Sequence, residues 1–118
     1  MQTLMNEFGN REVRAYYVWA PILAGDTEET ARLSAKRVPA PNSSHFWISS
    51  QKLLQDAAAV LELPAGRIAW DVFLLYRKEI MWETAFPLPT YWQHQLDVIQ
   101  GTPLDPVALR AALLVALK

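Results

Sequence analysis

The stretch 67–77, RIAWDVFLLYR, limits what this chain can fold into more than any other part of it. In an extended segment successive side chains point to opposite faces. Ile68, Trp70, Val72, Leu74 and Tyr76 then share one face, and Ala69, Asp71, Phe73 and Leu75 the other. A strand apolar on both faces must be covered on both, which predicts a central strand in a layered α/β domain. Covering it takes apolar residues from elsewhere, and the chain has them. Of its 118 residues 52% are hydrophobic and 19% charged, where globular chains average roughly 45–50% and about 25%.

Other segments read in the same way. The stretch 12–20 (EVRAYYVWA), rich in β-branched and aromatic residues and stopped by Pro21, predicts a strand. Asp26 with Glu29 is a capping-box pair opening a polar helix to Arg37. Pro39, Pro41, Asn42, Ser43 and Ser44 predict a loop, and HFWIS at 45–49 a short strand. Ser50 caps a helix over 51–63, with Leu53, Leu54, Ala57, Val60 and Leu61 on one arc; Pro64 and Gly66 end it. After the central strand, 80–83 predicts a short return strand and Pro87 and Pro89 a loop. Thr90 with Gln93 is a second capping box, opening a helix that Gly101 closes. Asp105 and Pro106 then start a last helix as cap and first-turn proline.

The expected fold is three-layer α/β: about four strands in one mixed sheet, the first three parallel through right-handed crossovers, helices on both faces and an extra C-terminal helix. Residues 1–11 are expected to be a flexible arm and 12–118 a single domain. This element order resembles the thioredoxin fold. The Cys-x-x-Cys pair that carries that family's redox activity is absent, and no proline stands directly before the central strand. The resemblance therefore implies an architecture and no activity.

Composition narrows the chemistry. With no cysteine, disulfides, thiol redox chemistry and thiolate metal sites are excluded. A net charge of −1 argues against a nucleic-acid partner. The only basic cluster, Arg32, Lys36 and Arg37, shares its segment with Asp26, Glu28 and Glu29. The start shows no basic and apolar leader pattern, and no apolar run approaches the ~20 residues of a membrane span, so a cytoplasmic protein with no membrane partner is expected. His45 and His94 stand at no metal-ligand spacing, the glycines form no phosphate-cradling pattern, and no serine has a nucleophile-elbow setting; no metal or cofactor is expected.

Three features remain. Asp71, a carboxylate in an apolar strand, is either a general base or an ion-paired structural residue beside Arg14, Arg67 or Arg77. In the predicted helix at 90–100, Trp92, Leu96 and Ile99 share a face, Gln93 lies on the wet side, Gln95 falls inside the apolar arc, and His94 lies on its margin. Asp71 with His94 would make a base–orienter pair. Trp82, Tyr91 and Trp92 bracket the proline loop, where with Gln95 they could floor a pocket for an apolar ligand or peptide, or simply seal the core. Trp47 and Trp70 are expected in the core. Finally, 107–117 (VALRAALLVAL) has almost no polar side. Leu109, Leu113, Leu114 and Leu117 predict either a contact with a second copy across a two-fold axis or merely a good helix former. The function expected is a non-catalytic binding or protein-interaction domain, homodimeric through this helix. The alternative is a small cofactor-free enzyme using Asp71 and His94.

Overall fold

A computed structural model describes residues 2–8, 13–38 and 42–118; Gly9, Asn10, Pro39 and Pro41, read above as arm and loop, lie outside them. The protein is α/β and its contacts group into two compact units, 1–51 and 52–118. Each has its own small sheet, so the strands do not form the expected single four-stranded sheet.

In the first unit, β1 (Ala15–Trp19) and β2 (Ser43–Trp47) pair in parallel, with Tyr17 opposite His45 and Trp19 opposite Trp47. Both strands alternate half-buried with exposed side chains, as a sheet covered on one face requires. The crossover contains α2 (Glu28–Ala35), whose buried residue is Ala31. Its cap falls one residue later than the sequence suggests. Thr27 Oγ1 accepts from Thr30 N at 3.1 Å and Thr27 N donates to Thr30 Oγ1 at 2.9 Å. Asp26 instead accepts from Ile22 N at 3.0 Å and Leu23 N at 2.6 Å, closing the turn before the helix. The expected arm contains α1 (Gln2–Glu7), with Met5 and Phe8 buried, because three apolar residues in seven give even this short segment a face to hide.

In the second unit, α3 (Lys52–Val60) buries Leu54, Ala57 and Ala58. It ends at Glu62, φ 57°, with Leu63 N bonded to Ala58 O and Glu62 N to Ala59 O, two residues before the proline. That is the paired bonding of a left-handed C-terminal cap. Ala57, Ala58, Leu61 and Ala69 form the core, with Val72, Leu74, Phe86 and Trp92 packed on it.

The central-strand expectation fails over half its length. β3 covers only Val72–Leu75. Trp70 N bonds to Ile68 O, and Asp71 stands at φ 57°, a left-handed conformation that aspartate tolerates better than most residues. The two-faced apolar pattern therefore bends away before the sheet begins, and Trp70 is exposed rather than in the core. The partner of β3 is not 80–83, which is not a strand, but β4 (Tyr91–His94), antiparallel, with Val72 opposite His94 and Leu75 opposite Tyr91. β5 (Thr102–Pro103) pairs with β4 in parallel. The predicted helix over 90–100 is thus strand and loop. Aromatic Tyr91 and Trp92 suit a strand, and the Thr90 hydroxyl read as a cap accepts from Arg77 N at 3.2 Å instead.

The last helix forms as expected. In α4 (Pro106–Ala116) the Asp105 carboxylate accepts from Val107 N at 3.0 Å and Ala108 N at 3.2 Å, with Pro106 in the first turn. Asp105→Ala is expected to cost about 1 kcal/mol, read as a lower urea midpoint at unchanged slope. No helix among the described residues is long and apolar enough to cross a membrane.

Candidate functional site

The connection between β3 and β4 is a loop, 76–90, closed at its base by Thr90 N donating to Leu75 O at 2.8 Å. Inside it the Tyr76 hydroxyl donates to Pro87 O at 2.9 Å. Burial pushes the Tyr76 phenol up to about 12. The phenol thus keeps its proton, and this clamp, through neutral pH, and loses both as pH rises through that value. Trp82 lies edge-on to two rings, Tyr76 at 5.1 Å and 62° and Phe86 at 4.8 Å and 70°. Phe86 in turn packs on the core. Despite these anchors the loop presents Met81, Trp82 and Leu88 at 70%, 53% and 67% exposure. Scattered exposed apolar residues need no explanation, but here three large ones fall on one tethered loop.

Below the loop, β4 carries two buried polar side chains. Gln93 is 0% and His94 1% exposed. The Gln93 amide donates to Tyr91 Oη at 2.8 Å and Asp105 O at 3.1 Å, and accepts from Asp105 N at 3.0 Å. One side chain thereby ties β4 to the residue that caps α4. His94 Nδ1 accepts from Leu96 N at 3.1 Å, which puts the proton of the neutral ring on Nε2. That Nε2 is buried with no partner among the described residues. Trp92 and His94 lie 5.6 Å apart, and Trp92 also packs against the backbone of Gly101.

Asp71, expected in an apolar strand, is exposed, and its carboxylate has no hydrogen bond or ion pair among the described residues. Its backbone carbonyl accepts from Gln95 N at 3.0 Å, so it lies beside the end of β4, but no bond links it to His94. Gln93 and Gln95 exchange the expected places: Gln93 lies in β4 and is sealed, whereas Gln95 lies past the end of that strand and is exposed. Tyr91 supports Gln93 and Trp92 lines the core, so of the residues expected to floor a pocket only Trp82 stands exposed on the loop. Tyr76 and Phe86, which hold Trp82, were missed as site residues; their signal was their spacing of six and four positions from Trp82 across a proline-bearing segment. On α4, Leu109 and Leu113 are buried and Leu114 and Leu117 are half-buried. The exposed row is Val107, Ala111 and Val115.

No protein-family model, curated protein or solved structure matches this chain.

Proposed function

We propose that this chain is a non-catalytic protein-interaction domain whose contact surface is the aromatic loop 76–90. The observation that carries this reading is Trp82, more than half exposed yet held edge-on between Tyr76 and Phe86. A tryptophan already held in place loses little conformational freedom when it is covered, so more of its contact energy survives as affinity. Tryptophan is also among the residues on which interface energy concentrates. The loop carries no net charge to oppose an apolar partner segment: Arg77 and Glu79 pair with each other at 3.0 Å, and Lys78 and Glu83 are opposite in sign.

Self-association through α4 belongs to the same reading, with its contact row moved from Leu109, Leu113, Leu114 and Leu117 to the exposed Val107, Ala111 and Val115. The acid–base alternative has weaker support. A catalytic base must reach substrate, and His94 is sealed at 1% exposure, with Nδ1 already engaged.

Peptides selected from a random library against the whole chain provide the test. Trp82→Ala is expected to weaken them at least tenfold, or about 1.4 kcal/mol, while Val107→Ser leaves them unchanged. The loss of two edge contacts, about 0.5–1.5 kcal/mol each, should lower the melting temperature without unfolding the chain. Selected peptides that bind wild type and Trp82→Ala equally well would overturn the proposal.

A further inference from the structure

The first unit contains an open cleft of about 180 Å³ between α2 and β2. Of the four α2 residues that line it, Ala31 and Ala35, four apart on one face, are too small to fill the space above the sheet. The floor is aromatic. Trp19, His45 and Trp47 line it, and the His45 ring stacks on Tyr17 at 4.6 Å and 12° and on Trp19 at 6.0 Å and 19°. The Trp19 indole N–H donates to His45 Nδ1 at 3.0 Å. With that nitrogen engaged as an acceptor, the proton of the neutral ring sits on Nε2, which has no partner among the described residues. The cleft is also lined by Arg32 and Glu28, 3.6 Å apart and both largely exposed. An exposed pair of this kind is weak, worth about 0–1 kcal/mol, and easily exchanged for another partner.

We propose that this cleft is a binding site for a small aromatic carboxylate, with the ring on the Trp19–His45–Trp47 floor and the carboxylate accepting from Arg32 and His45 Nε2. Size sets the ring count. A cavity of roughly 150 Å³ holds one benzene, so a cleft of about 180 Å³ has room for one ring with its acid arm toward the open side. Charge sets the polar group. Arg32 and His45 Nε2 are both donors, and guanidinium matches carboxylate in a two-pronged geometry. Glu28 is the competing acceptor on Arg32.

Titration of the full chain with benzoate, benzylamine and benzyl alcohol tests this, followed at the Trp19 indole N–H resonance by NMR. Benzoate is expected to shift that resonance saturably and to bind at least fivefold tighter than either of the others. Arg32→Gln should weaken benzoate at least fivefold and Glu28→Gln should tighten it. Ala35→Leu, which fills the cleft, should abolish the shift; if that variant does not fold, the two surface variants decide alone. No saturable shift with benzoate, equal binding of benzyl alcohol, or benzoate binding indifferent to Arg32→Gln would each overturn the proposal.

Discussion

Gln93→Leu is expected to lower the unfolding free energy by about 3 kcal/mol, while Gln95→Leu, two residues on, changes it by less than about 0.5 kcal/mol. The first replacement preserves volume and removes polarity. It leaves the N–H and C=O of Asp105 and the hydroxyl of Tyr91 without their buried partner. Each orphaned group costs about 1–3 kcal/mol, reduced where water can reach it, and Asp105 is itself exposed. Gln95 is exposed, so leucine there breaks nothing. The pair is diagnostic. If 90–100 were the amphipathic helix its sequence suggests, Gln93 would face water, Gln95 would face the core, and the two costs would exchange. Urea unfolding reads both, with a lower midpoint at unchanged slope for Gln93→Leu.

Gly101→Ala is the second large effect, expected at about 2–4 kcal/mol, against a neutral or slightly stabilising Gly25→Ala. Gly101 stands at φ 69°, a conformation that costs an alanine about 1–2 kcal/mol. A Cβ there would lie 2.5 Å from Cζ2 of Trp92, a ring that cannot withdraw without leaving the core. At Gly25 a Cβ meets nothing within 4 Å. The two parts of the cost separate in a double-mutant cycle. In a Trp92→Leu background the clash disappears, and Gly101→Ala should cost only the backbone share. Thermal unfolding of the four proteins supplies the cycle; equal costs in both backgrounds would show that Trp92 does not press on Gly101.

The sequence was most informative where the decisive partners are near neighbours in the chain. Asp105 and Pro106 announce α4 because the cap bonds to amides two and three residues away. The apolar arc of α3 is legible for the same reason; β1 is apparent from its aromatic content, and β2 only in part, since Ser43 and Ser44, read as loop, belong to the strand and Ile48 and Ser49 do not. Elsewhere local signals had two solutions and a distant partner chose between them. Thr90 and Gln93 have the spacing of a capping box, yet Thr90 bonds to Arg77, thirteen positions back, and Gln93 to Asp105, twelve ahead. The alternation of 67–77 suggested one long strand, but nothing local announces the left-handed turn at Asp71 that shortens it. That turn removes Asp71 from the apolar setting that made it a catalytic candidate. Of the site, Trp82 beside a proline-stiffened loop was legible, whereas its clamp, from the Tyr76 hydroxyl to Pro87 O, needed the folded loop to be seen.

Loop 76–90 as the contact surface is tested most directly by the amide hydrogen-exchange footprint of a selected apolar peptide on the full chain. Slower exchange confined to 78–89, with 13–38 and 106–116 unchanged, is the predicted result. Protection on α4 or on β1 and β2, with the loop exchanging as in the free protein, would contradict it.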